Sequence, residues 1–364
     1  MAKNTQSIKR LKAFLFSLFA VITLVSLTAC SDSNQSSDGQ TSTQAETKIM
    51  GAGSSFIYPV MSRWSNNYYQ RTNVQINYQP IGSGGGQRQI FQRTVDFAAS
   101  DQPLDAQTLK KYKLIQFPMI VGGIVAVVNL KGVSSNQLIL SGPVLADIYM
   151  GKIRYWDDSQ IKNLNPKLTL THSLIIPVRR ADGSGTTYNF ADYLAKVSPL
   201  WQKNVGVNTT LTWPSTTIGA KGNAGVAAQV MQLPNSIGYV EYAYAKENHM
   251  NTVKLINKNG KAIAPTLSSF RSSAEYADWS SKNDYHVLLT DQAGNNSWPI
   301  DASTFILLPI DNSSETNQTI LAFLSWAYGE SGRDIAAKLD YIGIPESTVK
   351  GIKSYWQERL ASAK

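Results

Sequence analysis

Three times in this chain an apolar run ends in a turn rich in glycine and serine and gives way to a segment of helical periodicity. That repeat constrains the fold more than any single motif does. The turns are Gly51–Phe56 (GAGSSF), Ile81–Ile90 (IGSGGGQRQI) and Arg179–Phe190 (RRADGSGTTYNF). After the first, Ile57, Val60, Met61, Trp64 and Tyr68 share one helical face. In the third, Phe190, Tyr193, Leu194 and Val197 do so, which puts Ser184, Gly185 and Thr186 in the first turn of a helix. Val74–Tyr78 alternates as a half-buried strand would, and Leu174–Val178, Ile237–Val240 and Phe305–Leu308 read as buried strands. Phe117–Leu130 is too long for an ordinary strand, so Gly122 and Gly123 predict a bend or two consecutive strands. Helices are expected over 319–328 and 347–360, the second with Val349, Ile352, Trp356 and Leu360 on one face. The alternation predicts an α/β architecture with mainly parallel sheets.

The N-terminus carries an address. Lys3, Lys9, Arg10 and Lys12 precede an uncharged run from Ala13 to Ala29, the form of a secretory signal and too short for a convincing span. The run ends in Leu27-Thr28-Ala29-Cys30, and Cys30 is the only cysteine. This tetrapeptide resembles a bacterial lipobox, so residues 1–29 are expected to be removed and Cys30 to carry lipid. Residues 30–48, among them SDSNQSSDGQTSTQAETK, hold almost nothing that enters a core and read as a flexible tether. Losing the four basic residues of 1–29 lowers the formal charge from +9 to +5. No block of like charge is interleaved with aromatics, so no nucleic-acid surface is expected; a mild positive surplus suits small anions. The remaining chain of about 315 residues exceeds the usual single core, which favours two lobes.

Gly, Ser and Thr are ordinary turn and N-cap residues, and any one of the three turns alone reads as such. Together they place unpaired N–H groups and hydroxyls at strand–helix junctions, and the third adds a cation, the makings of an anion receptor. Nucleotide loops do not fit: no lysine follows either glycine cluster, and the spacing G-x-G-x-x-G fails at Phe56 and at Gln87. The elbow G-x-S-x-G fails because Asp182 stands two residues before Ser184. His172, His249 and His286 lie away from the glycine clusters and read as surface or partly buried histidines, and no zinc or calcium spacing occurs. Asp101, in VDFAASDQPL, reads either as a cap or turn residue before the stretch starting at Asp105, or as an acceptor for the O–H of a protonated anion.

The ordered set of segments, from GAGSSF, IGSGGGQRQI and TVDFAASDQPL through FPMIVGGIVAVVN, LADIYMGKIRYWDD and VRRADGSGTT to IGYVEYAYAK, WPIDASTFILLP and the closing Trp356 helix, resembles the phosphate-binding subunits of bacterial phosphate ABC importers. The resemblance implies a two-lobe periplasmic-binding-protein type II fold, its lobes joined by two crossover strands with the ligand cleft between them. Lobe 1 would be 49–125 plus 303–364, and lobe 2 would be 126–302. Phosphate would be held by Ser55, Phe56, Ser83 and Asp101 from one lobe and by Arg180, Ser184, Gly185 and Thr186 from the other, with Asp182 holding Arg180. Local chemistry does not choose between Arg179 and Arg180; the family register chooses Arg180. This chain has Ser55 where threonine is common and Gly84 where a second serine is common. The resemblance further implies a monomer that is no enzyme and needs no cofactor or metal. Its partners would be phosphate, the importer's permease subunits and, through Cys30, a membrane.

Overall fold

A computed structural model describes residues 47–361. The signal segment, Cys30 and nearly all of the tether lie outside the described residues. Chain order begins β1 (Lys48–Gly53), α1 (Tyr58–Thr72), β2 (Gln75–Gln79), α2 (Ser83–Phe91) and β3 (Phe97–Ser100). Each helix returns the chain to a parallel neighbour, since β1 pairs in parallel with both β2 and β3. Burial along β2 alternates as its sequence does, with Ile76 and Tyr78 inward, the signature of a strand with one face on the core. In α1, Val60, Met61, Trp64 and Tyr68 are the buried positions, as their spacing predicts.

Phe117–Leu130 falls almost wholly within one strand, β4 (Leu114–Asn129), which changes partner part-way. Its residues 114–123 pair with β8 (Ile300–Pro309), and residues 124–129 pair with β7 (Ser236–Glu241), both antiparallel. The switch falls at Gly123. A β-carbon on Gly123 would sit 2.3 Å from the Phe270 ring, and one on Gly122 3.0 Å from Phe56. Aromatic rings therefore press on the strand where its two pairings meet, and at Gly123 a side chain would collide with one.

Beyond β4 come β5 (Ile176–Arg180), α3 (Gly185–Val197), β6 (Ile218–Ala220) and α4 (Gly222–Gln232), with β5 parallel to β6 and β7. The sheet order is β2-β1-β3-β8-β4-β7-β5-β6. It is mixed rather than mainly parallel, because β8, β4 and β7 run antiparallel between two parallel ends. Helix α5 (Glu346–Ala361) closes the chain. Its Trp356 meets Phe117 edge-on at 5.0 Å, so the last helix completes the core under β4. Among the described residues, no helix is long and apolar enough to cross a membrane.

Candidate functional site, an anion cradle between two sheet ends

All three turns reach one place. Ser83 opens α2 behind Gly82, whose φ of 86° suits glycine. Ser184 is the N-cap of α3, its Oγ accepting from Thr187 N at 3.0 Å, which leaves Gly185 and Thr186 in the first turn. The first turn differs in detail: α1 starts at Tyr58, so Ser55 and Phe56 lie in the bend between β1 and the helix. Ser55, Ser83, Asp101, Arg180, Ser184 and Thr186 are all buried at 4% exposure or less, in a protein where unpaired polar groups are costly inside.

The arginine is Arg180. Its Nε donates to Asp182 Oδ1 at 2.8 Å, Nη2 reaches Asp182 Oδ2, and Nη1 lies 3.3 Å from Thr186 Oγ1. Arg179 bonds Thr217 Oγ1 and the Arg180 carbonyl instead. Successive strand residues point to opposite faces, so only one of the pair enters the cluster. Burial by itself would raise the Asp182 carboxyl. The Arg180 guanidinium and the Gly222 N–H, 3.0 Å away, hold it below the usual range. Asp182 is thus an ionised orienter that fixes a forked cation.

Asp101 is the acceptor at the centre. Its Oδ2 takes the Ser54 hydroxyl at 2.7 Å and the Ser83 hydroxyl at 3.4 Å, and Oδ1 takes Thr304 Oγ1 at 2.7 Å. Burial pushes its pKa up to about 6, opposed by those hydroxyls and by the charge of Arg180. A carboxylate offers about four lone-pair directions, so three donors leave about one for a further O–H. The capping role belongs to Asp105, which accepts from Thr108 N at 2.8 Å to start its own short helix.

Four contributors were absent from the sequence reading. Ser54 accepts from Phe56 N at 2.9 Å while donating to Asp101. Thr304 of β8 sits where the pairing with β4 shifts by one residue at Met119, and its Oγ1 donates to Asp101 Oδ1. Asn189 Nδ2 donates to the Asp101 carbonyl at 2.7 Å. Asn223 is the fourth: its N–H and Nδ2 donate to Ser55 Oγ at 3.1 and 3.0 Å, and Nδ2 lies 3.3 Å from Thr186 Oγ1. Ile218–Asn223 (IGAKGN) is a fourth strand–glycine–helix junction, a signal of the same kind as the other three.

The two sheet ends touch directly at this cluster. Gly84 N donates to Gly183 O at 2.9 Å, and a β-carbon on Gly185 would lie 2.5 Å from Ser83 Oγ and 2.7 Å from Asp101. Gly84 accordingly meets the third turn through its backbone. His172, His249 and His286 are exposed, and a cavity of about 790 Å³ between Asn317, Leu321 and Trp356 lies elsewhere. The site is therefore a closed seam of donors around Asp101 and the Arg180–Asp182 pair.

A PBP superfamily domain matches residues 38–340. The phosphate-binding protein PstS of Haemophilus influenzae is 46% identical over 313 residues, spanning 86% of this chain and 93% of that protein. The chain belongs to the PstS family. PstS of Methanocaldococcus jannaschii is 33% identical over 369 residues, 94% of each chain. Among solved structures, a phosphate binding protein from Stenotrophomonas maltophilia aligns with a TM-score of 0.67 at 19% identity, covering 85% of this chain and 93% of that one. The periplasmic phosphate-binding protein PfluDING, solved with phosphate bound, aligns at 0.68 and 18% identity, covering 85% and 93%. These likenesses bear on fold: this PstS-family chain has the two-lobe type II architecture of periplasmic binding proteins.

Proposed function

We propose that this protein binds inorganic phosphate outside the cytoplasmic membrane and delivers it to the permease of an ABC importer. The observation that carries the reading is Asp101, a buried acceptor set among neutral donors beside a cation already half neutralised by Asp182. Hydroxyls and N–H groups of Ser55, Phe56, Ser83, Ser184, Gly185 and Thr186, with Arg180, would carry the anion's charge through hydrogen bonds. Asp101 would accept the proton that phosphate retains near neutral pH. Sulfate has no such proton and would leave a carboxylate facing a dianion.

Entry requires motion. The proposed ligand groups are buried, and Ser55–Asn223 and Gly84–Gly183 hydrogen bonds span the seam. The lobes, 49–125 with 303–364 against 126–302, would part and close about β4, and the closed form would be what the permease recognises. The chain would act as a monomer, held to a membrane through lipid on Cys30. Binding rather than turnover fits a site whose histidines lie elsewhere and whose only acid–cation pair is spent on orientation.

Calorimetry on the full-length protein tests this. Tight one-to-one binding of phosphate, arsenate competing and sulfate ineffective at equal concentration, is the expected result. Heat from sulfate but not phosphate would replace the reading with that of another oxyanion receptor. Small-angle scattering should show a smaller radius with phosphate; an unchanged radius counts against closure.

A further inference from the structure

Three tyrosine hydroxyls from distant stretches of chain hold three consecutive carbonyls of the bend after β1. Tyr78 Oη donates to Ser54 O at 2.8 Å, Tyr244 Oη to Ser55 O at 2.7 Å and Tyr341 Oη to Phe56 O at 2.6 Å. All three rings are buried. Burial also pushes each phenol well above its ordinary range, so the hydroxyls keep the protons they donate.

In a trans peptide the carbonyl of one residue and the N–H of the next point in opposite directions. Holding the carbonyls of 54, 55 and 56 therefore aims the N–H groups of Ser55, Phe56 and Ile57 the other way. Phe56 N shows which way that is: it lies 2.9 Å from Ser54 Oγ, whose own hydrogen bond ends on Asp101. The 54–57 stretch lies between the end of β1 and the start of α1, outside the regular ladder of either. A flipped peptide would present a carbonyl to the anion in place of an N–H, exchanging attraction for repulsion.

We propose that Tyr78, Tyr244 and Tyr341 are positioning residues of the anion site, setting its affinity by keeping the 54–57 peptides turned N–H inward. This rests on the phosphate reading. Simple satisfaction of buried carbonyls needs only some donor at each; here three rings from separate stretches of chain converge on one three-residue bend.

The test uses Tyr78→Phe, Tyr244→Phe and Tyr341→Phe in the full-length protein, each removing one hydroxyl. Tyr328→Phe is the control, because the buried Tyr328 hydroxyl donates to the Pro118 carbonyl, away from the bend. All four variants should melt lower than the wild type. Only the first three should weaken phosphate binding, by roughly tenfold each, the worth of one well-placed hydrogen bond. Wild-type phosphate affinity in the three, or equal loss in the control, overturns the proposal. Amide shifts of Ser55, Phe56 and Ile57 provide a ligand-free arm: they should move in the three variants and stay in the control. Unmoved amides overturn the clamp even if phosphate binds, whereas a wild type that takes no phosphate overturns the function and leaves this arm to judge the clamp.

Discussion

Asp101→Asn keeps the shape of the acceptor and removes its charge, so it separates proton acceptance from packing. Around the native carboxylate stand Ser54 and Thr304 hydroxyls at 2.7 Å and Ser83 at 3.4 Å, and hydroxyls can rotate to meet an amide. The fold should therefore survive. For phosphate the variant loses a charge-assisted hydrogen bond of about 1.5–3 kcal/mol, which is roughly a 10- to 100-fold weaker Kd. For sulfate it removes repulsion between a carboxylate and the bound anion. At about 4 Å and an effective dielectric near 20 one pair of unit charges repels by about 4 kcal/mol, or roughly 10³ in affinity. Phosphate-over-sulfate discrimination should thus fall by roughly 10⁴ or more, the scale on which sites built around a hydrogen bond reject analogues lacking it. Competition calorimetry at pH 7.5 measures both constants. If the ratio changes by less than tenfold, Asp101 is not the proton acceptor.

Because the Asp101 pKa sits at about 6, lowering pH converts it from acceptor to donor without mutation. Sulfate should compete progressively better as pH falls from 7.5 to 5, and a flat competition profile would contradict this assignment. Gly185→Ala would place a methyl 2.5 Å from Ser83 Oγ and 2.7 Å from Asp101. The two turns should then fail to meet, leaving the scattering radius insensitive to phosphate and the affinity lower by at least a hundredfold; wild-type closure would refute the contact. Asp301 is fully buried, neither carboxylate oxygen has a hydrogen-bond partner, and burial raises its pKa well above the ordinary value, only partly offset by the Ser273 hydroxyl nearby. Its neutral form suits the fold, so its contribution is intact below the unfolded pKa of about 3.9 and is lost as pH rises toward the folded value. Asp301→Asn should melt increasingly above the wild type between pH 4 and 8, and a pH-independent difference would argue against a neutral Asp301.

Local pattern determined much of this protein. Periodicity located α1, α3 and α5, alternation located β2, and glycine and serine at a strand–helix junction located Ser184, Gly185 and Thr186, because helix starts need small residues and hydroxyl caps. Of the buried strands without alternation, Ile237–Val240 and Phe305–Leu308 lie within β7 and β8, whereas Leu174 is half exposed and β5 begins at Ile176. The long apolar run could be read as a bend or two strands, since only its partners decide. Tertiary structure made it one strand with Gly123 at the change of partner, and made the sheet mixed. Arg180, the arginine the family register implied, enters the cluster and Arg179 does not because of the sheet face each occupies, and folding brought in Ser54, Thr304, Asn189 and Asn223. Those residues look ordinary in sequence because their roles are contacts, and contacts between residues as far apart as Ser55 and Asn223 exist only once the sheet has brought its two ends together. What the chain alone determined is a set of donors at helix starts; what folding decided is that they gather beside Asp101 and Arg180.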